Sequence, residues 1–221
     1  MIQVKICGLI NLPDALQAVH YGASAVGFVF APSKRQVDVA TVRRITAALP
    51  PFITKIGVFV NEAPEAVREI LRESGLDLAQ LHGEESPADC EVLAGRVIKV
   101  FKAGRDRPDP IWRQAALHSV LIDTYNPAVA GGSGRTFDWQ LFEQYRTLGW
   151  PLILAGGLTP ANIGAALRLA RPAAVDVSSG VERRPGVKDP LKIREFMEAI
   201  SCRTCNNGIL ESTADALCRK P

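Results

Sequence analysis

Nowhere in the 221 residues does an apolar run approach the roughly 18 residues that a membrane span requires. No charged, apolar and small-residue leader stands ahead of the first apolar segment, and the expectation is a cytoplasmic protein. Blocks of like charge are missing as well: 26 basic and 23 acidic residues are interspersed, for a formal charge of +3. That balance offers no basic stripe to nucleic acid or to an anionic membrane, and small molecules are the expected partners. Cysteine is sparse and odd in number, five in all, which argues against a disulfide framework. Three of the five, Cys202, Cys205 and Cys218, crowd the C-terminus with no nearby histidine or fourth cysteine to close a tetrahedron, so no metal site is expected.

What is present is a core and a rhythm. Hydrophobic residues make up 47% of the chain, normal for a globular protein. Eight apolar runs of strand length recur: Gln3–Cys7, Ala25–Phe30, Lys55–Val60, Leu76–Leu81, Val97–Phe101, Val120–Ile122, Leu152–Ala155 and Ala174–Val177. Several are apolar at consecutive positions, as parallel strands buried on both faces are. Between them lie helical patterns. Leu12, Ala15, Leu16 and Val19 fall at the helical spacing, and so do Ile193, Phe196, Met197 and Ile200. Ser86-Pro87, Thr159-Pro160 and Asp189-Pro190 each place a capping oxygen before a proline, which predicts helix starts there. Pro108 and Pro110 leave little room for a helix between Gly104 and Leu117, so the fifth helix is expected to be short or degenerate.

Strands alternating with helices imply an α/β protein with a parallel sheet. An open dinucleotide-binding sheet carries its glycine-rich turn after the first strand, whereas the paired glycines here come late, after strands seven and eight. The pattern therefore predicts a single (β/α)8 TIM barrel over residues 1–201, with 202–221 as a flexible C-terminal appendage.

In such a barrel the C-terminal ends of all strands open on one face, so residues distant in sequence converge. Strand one releases Cys7, the loop after strand two Arg35, strand four Gln80 and His82, and strand six Asp123. Strand seven ends in Gly156-Gly157, and strand eight in Ser178-Ser179-Gly180. Glycines at these two exits let backbone N–H groups close on an anion, which predicts a phosphate-binding site. With a phosphate held there, Cys7 and Asp123 become a candidate base and acid, and Arg35 a candidate carboxylate clamp. Outside that context the same residues read as a small buried hydrophobe, a loop tie and a solvated charge. His82 orients a ligand or bonds within its loop; His20 and His118 fall away from the mouth.

At these residues the chain resembles the phosphoribosylanthranilate isomerase family of tryptophan biosynthesis. The resemblance is carried by Val4-Lys5-Ile6-Cys7-Gly8, Ser33-Lys34-Arg35, Gln80-Leu81-His82-Gly83, Gly131–Trp139, Leu154–Leu158 and Ser179–Asp189. It implies a cofactor-free Amadori rearrangement of N-(5-phosphoribosyl)anthranilate into 1-(2-carboxyphenylamino)-1-deoxyribulose 5-phosphate, by a monomer or homodimer. It also implies that Asp123 is the general acid and Cys7 the general base, that Arg35 holds the anthranilate carboxylate, and that Gly156, Gly157, Ser179 and Gly180 cradle phosphate. Lys34 stands where the family usually has proline. The glycine-, alanine- and proline-rich stretch 124–135 is a candidate for closing over substrate. Two other readings remain at this point. One is an aldolase-like barrel forming a Schiff base through Lys5, Lys55 or Lys99, and the other a phosphosugar-binding protein without catalysis.

Overall fold

Strands apolar on both faces have to be covered on both sides, and a parallel sheet closed on itself and wrapped in helices does this. In the computed structural model, which describes residues 2–123 and 140–204, the eight runs form such a barrel. Its strands are β1 (Gln3–Ile6), β2 (Ala25–Val29), β3 (Thr54–Phe59), β4 (Leu78–Leu81), β5 (Val97–Lys102), β6 (Ser119–Asp123), β7 (Leu152–Ala155) and β8 (Ala174–Val177). Each pairs in parallel with the next, and β8 closes on β1 with Gln3 opposite Ala174 and Ile6 opposite Val177.

The period of two along each strand sorts the side chains into two cores. Outward residues such as Val4, Ile6, Val26, Phe28 and Ile122 join the large cluster beneath the helices. Inward residues Ile56, Leu78, Ile98, Leu121 and Ile153 fill the barrel itself, together with Ala25 and Ala174. Higher along the same inward faces come Lys5, Gln80 and Asp176, all buried. Cys7, His82 and Asp123 follow at the strand exits.

The helices are α1 (Leu12–His20), α2 (Val39–Ala48), α3 (Pro64–Ser74), α4 (Pro87–Glu91), α5 (Gln140–Glu143), α6 (Ile163–Ala170) and α7 (Pro190–Thr204). Side-chain caps start several of them. Asn11 accepts from the Asp14 amide at 2.8 Å, Asp38 from the Thr41 amide at 2.7 Å, and Ser86 with Asp89 forms a reciprocal capping box; each such cap is worth about 1 kcal/mol. The fifth crossover carries a single 3-10 turn, Pro110–Arg113, the degenerate element that its prolines predict.

Four details differ from the sequence-based expectations. The helix expected at Pro160 begins at Ile163, because the Asn162 carboxamide accepts from the Thr159 amide and closes a turn ahead of it. In α1 the buried stripe is Ala15 and Ala18 flanked by Leu12 and Val19, which leaves Leu16 at the surface. A two-stranded hairpin, β9 (Glu182–Arg184) with β10 (Val187–Lys188), follows β8. Helix α7 continues to Thr204, past the expected boundary at 201. The expected appendage from 205 onward and the candidate closing stretch 124–135 lie outside the described residues. Among the described residues no helix is long and apolar enough to cross a membrane.

Candidate active site

The barrel mouth is built from its strand exits. Cys7 leaves β1 with its amide donating to the Val177 carbonyl at 2.9 Å, and the Gly8 amide donates to the Gly27 carbonyl at 3.0 Å. The thiol is thus fixed from both neighbouring strands. It is 7% exposed. Gly27 on β2 leaves the clearance it needs, since a Cβ there would lie 2.8 Å from the Cys7 sulfur.

Asp123 ends β6, in register with Lys102 on one side and Ala155 on the other. Its Oδ2 lies 3.3 Å from Nε2 of His82, whose own amide is held by the Phe59 carbonyl. His82 therefore engages the candidate acid directly.

Around the rim the strand order β6, β7, β8, β1 sets the two glycine loops between Asp123 and Cys7. Gly156 and Gly157 both adopt left-handed backbone, with φ of 91° and 63°, which side-chain-bearing residues enter only at a cost. After β8, Ser179–Val181 forms a 3-10 turn. A Cβ on Gly180 would lie 1.8 Å from the Leu158 carbonyl oxygen, so the two loops meet backbone to backbone. Asn162 ties the first loop further by donating to the Gly157 carbonyl at 2.9 Å. The result is a cradle of main-chain groups at the position where barrels of this kind hold phosphate.

Arg35 crosses above Gly8 and forks onto Glu182 of β9, with Nε to Oε1 at 2.8 Å and Nη2 to Oε2 at 2.6 Å. Lys188 of β10 donates to the same Oε1 at 2.8 Å and to the Ser178 carbonyl at 3.2 Å. Burial pushes the Glu182 carboxyl up, but the hydrogen bonds from Arg35 and Lys188 prevail and hold it down at about 2. The expected clamp thus already carries a protein carboxylate. A guanidinium has five N–H groups, and the edge bearing Nη1 is left for a second anion.

Beneath the mouth, Lys5 donates to Asp176 Oδ2 at 2.9 Å and to Gln80 Oε1 at 2.8 Å. Burial pulls the Lys5 ammonium down, yet the Asp176 and Cys7 charges outweigh it and the net direction is up. Burial likewise pushes the Cys7 thiol up, against the pull of Lys5. Lys99 is held by Glu85 at 2.7 Å and by the Gly83 carbonyl at 2.8 Å; Lys55 lies 3.8 Å from Asp77. An amine must be free and neutral to attack a carbonyl, and buried Lys5 and Lys99 are both engaged in ion pairs with carboxylates, which counts against the Schiff-base reading.

The exit positions brought Cys7, Asp123, Arg35, His82 and the glycine loops into view together. Exit position alone does not point to Asp176, Glu182 or Lys188. A signal for Lys5 and Asp176 exists nonetheless: a lone charge inside QVKI and inside AVDV, strands otherwise apolar, has to face inward and find a partner.

Comparison with known proteins bears on the family. The family model described as N-(5'phosphoribosyl)anthranilate (PRA) isomerase matches residues 4–199. A relative named N-(5'-phosphoribosyl)anthranilate isomerase from Trichlorobacter lovleyi is 47% identical over 199 residues, covering 89% of this chain and 97% of its own. One of the same name from Pseudomonas fluorescens is 49% identical over 202 residues, covering 90% and 95%. The crystal structure of phosphoribosyl anthranilate isomerase from Thermotoga maritima superposes with a TM-score of 0.81 at 44% identity, over 91% of this chain and all of that one. A structure of the enzyme in complex with reduced 1-(o-carboxyphenylamino)-1-deoxyribulose 5-phosphate gives 0.78 at 41%, with the same coverage. Barrel, mouth and sequence likeness together show that the chain belongs to the N-(5'-phosphoribosyl)anthranilate isomerase family.

Proposed function

We propose that Cys7 and Asp123 carry the acid–base chemistry of this chain's isomerase reaction, the Amadori rearrangement of N-(5'-phosphoribosyl)anthranilate in tryptophan biosynthesis. The observation that supports this most is their placement on one rim, at the exits of β1 and β6, with the glycine cradle between them. A phosphate anchored after β7 and β8 sets the sugar across the mouth, between the thiol and the carboxyl.

In this reading Asp123, whose Oδ2 lies 3.3 Å from His82 Nε2, delivers a proton to the furanose ring oxygen. The C1–O bond breaks and the anthranilate nitrogen forms the protonated imine. The Cys7 thiolate then removes the C2 proton, the electron pair moves to the imine, and an enolamine results. Protonation at C1 as the C2 hydroxyl becomes a carbonyl completes the aminoketose, with no atom gained or lost. Arg35 holds the anthranilate carboxylate on its free edge while Glu182 holds the other. Each acid–base role is worth about 10²- to 10⁴-fold in rate. No cofactor takes part.

We place the reaction in the cytoplasm, carried out by a monomer or homodimer; a neighbouring structure concerns monomers derived from a dimeric phosphoribosylanthranilate isomerase of T. maritima. The deciding experiment follows loss of substrate fluorescence with wild type and Cys7→Ala. The variant is expected to bind a reduced product analogue with little change and to lose turnover by about 10² or more. Full turnover in Cys7→Ala overturns the mechanism.

A further inference from the structure

The acid–base reading leaves a buried charged layer below the mouth unused. Lys5 precedes Cys7 by two residues on β1, so both side chains face the barrel axis. Gly27 reports how close they come: a Cβ there would lie 2.8 Å from the Cys7 sulfur, 2.8 Å from Lys5 Cε and 3.1 Å from Lys5 Nζ. Thiol and ammonium border the same small clearance. Asp176 Oδ2 and Gln80 Oε1 hold the ammonium from β8 and β4, while Asp176 Oδ1 is buried with no partner among the described residues.

The charges around the thiol can be counted element by element. Lys5 on β1, Arg35 after β2 and Lys188 on β10 are cations that each interact electrostatically with Cys7. Against these three stand two carboxylates, Asp176 on β8 and Glu182 on β9. Asp14 of α1 accepts from the Lys188 backbone amide and from the Asn11 carboxamide, and His82 and Asp123 face each other at the exits of β4 and β6. With Cys7 as a thiol the five-group cluster holds one surplus positive charge; with Cys7 as a thiolate it is balanced.

We propose that Lys5 is a positioning residue for Cys7: its ammonium, fixed by Asp176 and Gln80, stabilises the thiolate that removes the sugar proton. The proposal rests on the reading of Cys7 as the base. It implies that Lys5 and Asp176 act on Cys7 with opposite signs. Removing the Lys5 charge destabilises the thiolate, whereas removing the Asp176 charge leaves Lys5 uncompensated and favours it.

The test measures the pH dependence of iodoacetamide alkylation at Cys7, read on the Cys7 peptide by mass spectrometry so that other thiols do not intrude. In Lys5→Met the alkylation midpoint should rise by about one pH unit or more, about a tenfold loss of rate near neutrality. In Asp176→Asn it should fall. Lys5→Arg should stay near wild type, and kcat in Lys5→Met should recover as pH is raised with KM little changed. Because Lys5→Met leaves a buried carboxylate unpaired and threatens folding, the double variant Lys5→Met, Asp176→Leu removes both charges; its midpoint should still exceed that of Asp176→Asn. An unchanged profile in Lys5→Met, or shifts of the same sign in Lys5→Met and Asp176→Asn, overturns the inference. An active Cys7→Ala with the opposed shifts intact would overturn the base assignment alone; an inactive Cys7→Ala with no opposed shifts would overturn only the role of Lys5.

Discussion

The two ends of the barrel are made of the same eight strands and the same inward faces, yet they are chemically opposite. Toward the N-terminal end the interior is Ile56, Leu78, Ile98, Leu121 and Ile153, with Ala25 and Ala174 packed against them. Toward the C-terminal end come Lys5, Gln80 and Asp176, then Cys7, His82 and Asp123, with Arg35, Glu182 and Lys188 around them. The first region stabilises the fold by apolar burial, on the order of 1.5–3 kcal/mol for each large side chain. The second holds charges out of water, which stabilises little and selects one arrangement of groups. The candidate site therefore sits where folding gains least.

Substitutions at the two ends should separate accordingly. Asp123→Asn should lower kcat by about 10² to 10⁴ with an urea midpoint close to wild type; an equal loss of stability and activity would erase the distinction. Leu121→Ala, in the apolar layer of the same strand, should do the reverse, costing about 2–5 kcal/mol in urea unfolding while kcat per folded molecule stays within a factor of about two. Gly180→Ala forces apart the loops that meet at the Leu158 carbonyl, and should raise KM for the phosphorylated substrate by about tenfold, roughly 1.4 kcal/mol, with a smaller change in kcat. Glu182→Gln probes the charged rim by pH. The Glu182 carboxyl sits at about 2 in the fold, below its ordinary value near 4.3, so its ionised form contributes stability above about pH 5 that is lost as pH falls toward 2. The stability gap between wild type and Glu182→Gln should be widest near neutrality and vanish by about pH 2. Smallest of all, Phe52→Gly at the N-terminal end should cost nothing and gain up to about 1 kcal/mol, because this phenylalanine is fully exposed at φ 67°.

How far the chain is legible follows from the same contrast. Apolar strands such as Ala25–Val29 and Val97–Lys102 declare themselves because nothing else places β-branched and aromatic residues at consecutive positions. The candidate site was legible through topology, since a residue at a strand exit has only one place to go: that Cys7, Asp123 and the paired glycines converge needed no tertiary information beyond the barrel. The β9–β10 hairpin was not, because Glu182-Arg183-Arg184 is charged and its strands are too short for periodicity to register. Nor was the true partner of Arg35. A guanidinium after β2 announces a need for a carboxylate, but that the first one comes from Glu182, 147 residues later, depends on a fold closing in three dimensions. Helix α6 starts later than the Thr159-Pro160 capping signal predicts, because Asn162 overrides that signal locally.

The Arg35–Glu182 fork bears on binding through entropy. A free arginine on a loop samples many rotamers, and a ligand that immobilises it forgoes about 0.5–1.5 kcal/mol of affinity. Here two hydrogen bonds at 2.8 and 2.6 Å have already chosen the rotamer, with the side chain laid along Gly8. The ordering cost is met when the protein folds, once, and a carboxylate bound as proposed would find its donors standing in place.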